Sequence, residues 1–180
     1  MTAILVAGIG NIFNGDDAFG VEVARRLSGR DFPGVRVVDF GIRGIDLTYA
    51  LLDDYELAVL VDTAQRGESP GTVSVIQPDP LEDWEPSPED LMLSPHDLDP
   101  ARVLRLVAAL GGKCRNVLLV ACEPLTFGGD EGAMGLSEPV AAAVDAAVTT
   151  VEELIREWID ADSDRPTIQS RISDEEGVEP

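Results

Sequence analysis

The stretch that decides the fold covers residues 4–20 and reads ILVAGIGNIFNGDDAFG. It begins with an apolar run that reaches a glycine, which is typical of a buried parallel strand, so we predict a strand over residues 3–8. After the polar loop, Phe19, Val23 and Leu27 recur at helical spacing and predict a helix over residues 18–27. A strand that leads directly into a helix is the start of a β–α–β unit and indicates an α/β fold.

Strand and helix patterns continue to alternate outward from this stretch. Strands are predicted over residues 35–40, 57–61 and 116–121, and helices over residues 45–52 and 100–110 and from the cap Ser137 to about Trp158. A further strand over residues 72–77 follows a loop too short for a helical crossover, so it should pair antiparallel. We predict a three-layer αβα fold, phosphorylase/hydrolase-like and doubly wound, with a mostly parallel, twisted five-stranded sheet that has one antiparallel strand.

The domain organisation is simple. The 180 residues fit one domain, which we assign to residues 1–160. Residues 161–180 are polar, acidic and without periodicity, so we predict a disordered tail. Residues 78–95 are rich in proline and acid, and a loop of this length is usually functional or mobile.

Composition excludes several classes of function. The formal net charge of −21 repels phosphate backbones and anionic membranes, so neither nucleic acid nor a membrane is an expected partner. The same charge can attract a basic protein or peptide, or can serve solubility alone. No apolar run reaches the roughly 18 residues that span a bilayer, and no basic region precedes the first strand. With only Cys114 and Cys122 present and no sign of a disulfide framework, we expect a cytoplasmic protein. We also expect a monomer, although the cysteines do not bear on this.

Three segments bring polar groups to the carboxyl edge of the predicted sheet, where ligands bind in such folds. Residues 8–17 contain Asp17, Asp62 directly follows a hydrophobic strand, and residues 94–97 contain His96, the only histidine. Two carboxylates and one imidazole suit a borderline divalent ion with open positions for substrate. Each residue also has an ordinary structural explanation, and spacing alone does not choose between the two.

The glycines of the first segment permit a different interpretation. Gly8-x-Gly10 follows a strand, and Asp39 ends the next one, as in dinucleotide-binding proteins. The pattern is incomplete because Phe13 occupies the place of the third glycine. Two adjacent carboxylates, Asp16 and Asp17, would also repel a pyrophosphate at the start of the helix. Their structural explanation is that Asp16 caps the helix and Asp17 complements its dipole.

These residues together resemble the hydrogenase maturation endopeptidases. The resemblance rests on Gly8-Ile9-Gly10-Asn11, Asp16-Asp17-Ala18-Phe19-Gly20-Val21, Val61-Asp62 and Ser94-Pro95-His96. It covers most of residues 1–155, including Gly135-Leu136-Ser137 before the last helix. On the combination G-x-G-N-x-x-x-x-D-[DE]-x-x-G, the chain is identified as a member of that family.

The resemblance implies an activity and its residues. Members remove a C-terminal peptide from the precursor of a nickel–iron hydrogenase large subunit after nickel has been inserted. Asp17, Asp62 and His96 correspond to the family's metal-binding positions, and we assign the catalytic role to the same three residues. Nickel would arrive with the precursor, which is the expected partner, and other divalent ions can substitute for it.

Two departures from the family pattern bear on the substrate. The first acid is commonly Glu, and Asp17 is one methylene shorter. The family's D-G-G-T-x-G segment reads here as Asp39-Phe40-Gly41-Ile42-Arg43-Gly44, with no hydroxyl at Ile42 and an added cation at Arg43. Arg43 either contacts a carboxylate of the precursor or faces solvent, and the hydrogenase subgroup stays open.

The sequence leaves the chemistry open. Metal-assisted hydrolysis would use the ion to polarise the peptide carbonyl and an uncoordinated carboxylate, Asp16 or whichever of Asp17 and Asp62 is free, as base. An aspartic-type mechanism would instead let Asp17 and Asp62 share a proton. A dyad of Cys122 and His96 is disfavoured because cysteine in an apolar strand usually serves packing. The alternatives to an endopeptidase are a non-catalytic nickel-loading sensor or chaperone and a nucleotide-binding α/β protein.

Overall fold

The computed structural model describes residues 3–53, 55–78, 99–112 and 116–163. The elements are, in chain order, β1 (Ile4–Ile9), a short 3-10 helix (Gly15–Ala18), α1 (Phe19–Leu27), β2 (Val35–Gly41), α2 (Gly44–Leu51), β3 (Leu57–Thr63), β4 (Val73–Ile76), α3 (Pro100–Ala109), β5 (Val117–Cys122) and α4 (Glu138–Ser163).

The five strands form one sheet in the order β2-β1-β3-β5-β4. The pairs β1–β2, β1–β3 and β3–β5 are parallel, and β4 pairs antiparallel with β5 at the edge. The short connection between β3 and β4 explains the reversal, since a parallel pairing would need a longer crossover. The predicted fold class is confirmed, including the single antiparallel strand.

Helices cover both faces of the sheet. Buried side chains of α1 and α4 pack with Leu57, Val59 and Val61 of β3 on one face. Those of α2 and α3 pack with Ala58 and Leu60 on the other. Successive side chains of a strand point to opposite faces, so the continuous apolar run of β3 supplies both cores.

Helix α1 lies close to the sheet because Gly8 of β1 and Gly20 of α1 have no side chain. A Cβ on Gly20 would lie 2.0 Å from the carbonyl oxygen of Val61, and one on Gly8 would lie 2.3 Å from the carbonyl oxygen of Gly20. Both distances are far below van der Waals contact, so the packing excludes any side chain at either position. The start of α1 is thereby placed directly against β1 and β3.

Three predicted boundaries are corrected by the structure. Asp62 lies within β3, paired with Ala121 of β5, because the parallel ladder continues to Thr63. A 3-10 helix precedes α1, so α1 begins at Phe19. Helix α4 continues to Ser163 and includes the first three residues of the predicted tail, 161–163, while residues 164–180 lie outside the described residues.

Among the described helices, none is long and apolar enough to span a membrane.

Candidate active site

The sheet has its topological switch point between β1 and β3. The chain leaves β1 through α1 on one face, and it leaves β2 through α2 on the other. At the carboxyl ends of β1 and β3 the chain therefore leaves in opposite directions, toward β2 and toward β4, and this is where ligands bind in doubly wound sheets. Asp17 follows β1, and Asp62 lies at the end of β3, so both acids belong to this edge.

Asp17 is positioned by the glycine turn that follows β1. Gly10 has φ +136°, and a Cβ there would lie 1.7 Å from the carbonyl oxygen of Asp17, so only glycine permits this approach. The Asn11 amide donates to Asp17 Oδ2 at 2.9 Å, and the Thr63 hydroxyl donates to Oδ1 at 3.4 Å. Burial raises the pKa of Asp17 and outweighs these two hydrogen bonds. The carboxylate thus lies beside the end of β3.

Asp62 is the more deeply buried acid, with 7% of its surface exposed. Its Oδ1 accepts a hydrogen bond from the Thr63 amide at 2.7 Å. Burial, opposed by that hydrogen bond and reinforced by the negative charges of Asp17 and Asp99, raises the pKa of Asp62 to about 7. Asp62 therefore binds or releases a proton near neutral pH, whereas an ordinary aspartate is fully ionised there.

Asp16 has a structural role that the sequence did not reveal. It is fully buried, and its carboxylate accepts hydrogen bonds from the amides of Leu125, Thr126 and Ser137 and from the Ser137 hydroxyl, at 2.6–2.9 Å. Burial opposes ionisation, but these hydrogen bonds outweigh it and lower the pKa of Asp16. The prediction that Asp16 caps the helix is wrong, since Ala18 occupies the N-cap of α1 and makes no side-chain hydrogen bond. Its fully bonded, buried carboxylate also makes it a poor general base.

The third predicted ligand cannot be placed. His96 lies outside the described residues, as does Cys114. Within the part of the chain that the structure describes, no three His, Cys, Asp or Glu side chains form a group that could bind a metal ion. The structure therefore brings two of the three predicted residues to one edge, and the position of the imidazole stays a prediction.

Cys122 is oriented away from Asp62. It belongs to the core on the α1 and α4 face, whereas Asp62 follows Val61 and so points to the opposite face. Burial, with the charges of Asp16 and Glu123, raises the pKa of the Cys122 thiol to about 11. A thiol that stays protonated at neutral pH is a poor nucleophile, so the cysteine serves packing.

In the turn after β2, the Arg43 side chain is exposed to solvent and also makes contacts within the chain. Arg43 donates to the carbonyl oxygens of Asp39 and Phe40, and its guanidinium lies 3.6 Å from the Asp46 carboxylate. These contacts stabilise the turn itself. The neighbouring Ile42 is exposed where the family pattern has a hydroxyl.

Sequence reasoning missed two residues of the site. Thr63 contributes a hydroxyl to Asp17, and Asp99 contributes charge to Asp62. Asp99 also caps α3, as predicted, because it accepts a hydrogen bond from the Arg102 amide at 2.8 Å. The available signal for Thr63 was its position beside Asp62 at a strand end, whereas the proximity of Asp99 depends on how α3 packs.

Comparison with known proteins gives a consistent result. A family model described as hydrogenase maturation protease, HycI, matches residues 21–154, a segment that begins after Asp17 and includes Asp62. A Methanocaldococcus jannaschii protein named as a candidate hydrogenase maturation protease is 33% identical over 150 residues, which cover 82% of this chain and 93% of the relative. The hydrogenase 2 maturation protease of Escherichia coli is 28% identical over 158 residues, covering 86% and 91%. The solved structure of the E. coli hydrogenase maturating endopeptidase HybD superimposes with a TM-score of 0.67 at 26% identity, covering 87% of this chain and 93% of that one.

Proposed function

Because this chain belongs to the hydrogenase maturation protease family and is a peptidase, we propose that it cleaves the C-terminal extension from a nickel–iron hydrogenase large-subunit precursor after recognising the inserted nickel. The names of the relatives support a role in hydrogenase maturation. The nickel in this proposal belongs to the precursor, as part of the substrate. We further propose that the protein acts in the cytoplasm as a monomer.

The acid pair at the switch point is the observation that carries the proposal. Asp17 and Asp62 are close enough for the charge of one to raise the pKa of the other, and burial disfavours ionisation of both. A cation between them would offset the repulsion and the lost hydration, so the pair fits a divalent ion. With His96 as the third ligand, the donor set of two carboxylates and one imidazole suits nickel.

The residues of the chain can then act on the peptide bond. When bound, nickel supplies Lewis-acid polarisation of the scissile carbonyl. Where the ion leaves one acid of the pair uncoordinated, that carboxylate takes a proton from the attacking water as its oxygen bonds to the carbonyl carbon. The carbon–nitrogen bond breaks, and a proton passes to the departing amine nitrogen.

The raised pKa of Asp62 supports a second, aspartic-type chemistry at the same pair. Protonated Asp62 can donate to the amine while ionised Asp17 accepts from water, as in pairs of carboxylates that share one proton. The two chemistries make different demands on the precursor. Cleavage of nickel-free precursor, with a rate that falls as pH rises through about 7, would favour the aspartic type.

Incubation of purified protein with nickel-loaded precursor, followed by mass spectrometry, tests the proposal. We expect the precursor to lose its C-terminal peptide, and Asp17→Asn, Asp62→Asn and His96→Ala each to slow cleavage by about 100-fold or more. Asp31→Asn, at an exposed acid of the loop between α1 and β2, is the matched control and should retain the wild-type rate.

Two outcomes would contradict the proposal. A stable complex with nickel-loaded precursor and no loss of mass would indicate the non-catalytic sensor. Full activity in all three variants would show that the reacting groups lie elsewhere in the protein.

A further inference from the structure

Large apolar side chains are exposed next to the acid pair. They lie on the loop of residues 10–17 and the loop of residues 123–136, and we call them the apolar rim: Ile12, Phe13, Leu125, Phe127 and Met134. Phe13 is 60% exposed and Met134 is 76% exposed. Clustered exposure of this kind on a water-soluble surface commonly marks an interaction site.

Backbone hydrogen bonds join the two loops of the apolar rim. The Ala133 amide donates to the Phe13 carbonyl oxygen at 2.9 Å, and the Gly15 amide donates to the Ala133 carbonyl oxygen at 2.7 Å. The buried carboxylate of Asp16 adds its bonds to Leu125 and Thr126 of the second loop. The rim is therefore preformed, which lowers the entropic cost of binding a partner.

The charge of the same loops indicates the chemistry of the partner. Residues 8–20 and 123–137 contain no Lys or Arg, and Asp130 and Glu131 are exposed at the tip of the second loop. The chain as a whole has a formal net charge of −21. A complementary surface thus combines apolar side chains with basic ones.

The rim is continuous with the candidate site through a short stretch of chain. The Phe13 amide donates to Asn11 Oδ1 at 3.0 Å, and the Asn11 amide donates to Asp17. Phe13 is thus connected to the reacting carboxylate through the side chain and amide of one residue. A peptide that lies across the rim leads directly to the acid pair.

We infer that the apolar rim docks a segment of the precursor in which apolar side chains adjoin Lys or Arg, and that this contact brings the scissile bond to Asp17 and Asp62. The inference rests on the proposed function and adds a substrate-binding surface to it. Rim side chains contribute to precursor binding, while the acid pair contributes to the chemical step.

The double variant Phe13→Ser/Met134→Ser tests the inference in the cleavage assay. We expect KM for nickel-loaded precursor to rise about tenfold or more, with kcat within about twofold, because rim contacts form equally in the ground and transition states. Phe13→Leu/Met134→Leu retains apolar surface and should restore KM. Tyr49→Ser/Leu110→Ser is the matched control, because these side chains are 65% and 54% exposed but lie on α2 and after α3.

Removing negative charge from the second loop tests whether the docked segment of the precursor is basic. Asp130→Asn/Glu131→Gln should weaken binding of the precursor to the inactive Asp62→Asn protein and should reduce the salt dependence of that binding. If the wild type cleaves the precursor and Phe13→Ser/Met134→Ser has an unchanged KM, the inference is overturned while the proposed function stands. A loss of kcat at constant KM in that variant would have the same consequence. A wild-type protein that neither binds nor cleaves the precursor would instead overturn the proposed function.

Discussion

Two neighbouring aspartates, Asp16 and Asp17, have opposite ionisation behaviour because their hydrogen-bond partners differ. Both are removed from water, which disfavours the charged form. Three amides and a hydroxyl donate to Asp16 and outweigh that cost, whereas Asp17 receives one amide and one distant hydroxyl. Donors aimed at a carboxylate make it a structural anion, and their scarcity leaves Asp17 available to a cation or a proton.

Asp62→Asn should change how stability depends on pH. The folded-state pKa of about 7 lies above the ordinary 3.8, so the stabilising contribution of Asp62 is complete below the lower value and is lost as pH rises through the upper one. We expect the free energy of unfolding of the wild type to fall by a few kcal/mol between about pH 4 and pH 7. The asparagine variant keeps the acceptor for the Thr63 amide and should show a smaller slope, to which Asp17 still contributes because its pKa is also raised.

Urea denaturation at several pH values, with EDTA present, measures the difference. Asp16 does not contribute to this slope. Because its folded-state pKa is lowered, its stabilising contribution is complete above the ordinary value of 3.8 and is lost only at more acid pH. Asp130→Asn, at an exposed position, should keep the wild-type slope. Parallel slopes for Asp62→Asn and the wild type would show that Asp62 is ionised throughout this range.

At the scale of elements, the contact between α1 and the sheet depends on the absence of side chains. Gly20 lies within α1, where alanine would ordinarily add up to about 1 kcal/mol of helix stability. A Cβ there would lie 2.0 Å from the Val61 carbonyl oxygen and 2.3 Å from that of Ile9. Both neighbours are backbone atoms of the sheet and cannot rotate away.

Gly20→Ala should therefore destabilise the protein despite the better helix propensity of alanine. We expect a loss of about 1–3 kcal/mol or more in the free energy of unfolding, measured by urea denaturation, because α1 must shift away from β1 and β3. Gly29→Ala is the control, since no atom lies within 4 Å of its added Cβ, and should change stability by less than about 0.5 kcal/mol. A more stable Gly20→Ala variant would contradict the close packing.

At the scale of the whole molecule, charge is the dominant feature. The formal net charge of −21 makes the folded chain repel itself, and dissolved ions screen this repulsion. Raising NaCl from about 0.05 M to about 0.5 M should raise the midpoint of thermal unfolding by several degrees. Differential scanning calorimetry at neutral pH measures the shift.

The control for this prediction is the same addition of salt at a lower pH. Near pH 4.5, many carboxylates bind protons, so the same addition of salt should have a smaller effect on the unfolding midpoint. A midpoint that does not respond to salt at neutral pH would show that the paired charges, such as those joining Arg30 and Arg156 to Glu152, already balance the repulsion.

Sequence alone predicted the order and type of the strands and helices, the antiparallel strand and the edge at which Asp17 and Asp62 lie. These features depend on hydrophobic periodicity and on the direction in which parallel strands run, which are local or follow from chain order. The family resemblance was also available from the motifs, and it is confirmed. The position of His96 stays a prediction.

Tertiary structure alone decided which aspartate does what. Asp16 and Asp17 are adjacent acids in the sequence, and only the packing of the 123–136 loop and α4 supplies donors to the first. The charge of Asp99 acts on Asp62 because Asp99 caps α3, and α3 packs on the face of the sheet to which Asp62 points. Patterns in a chain record which residues are apolar and in what order they occur, whereas the pKa of a carboxyl depends on groups that only folding brings near it.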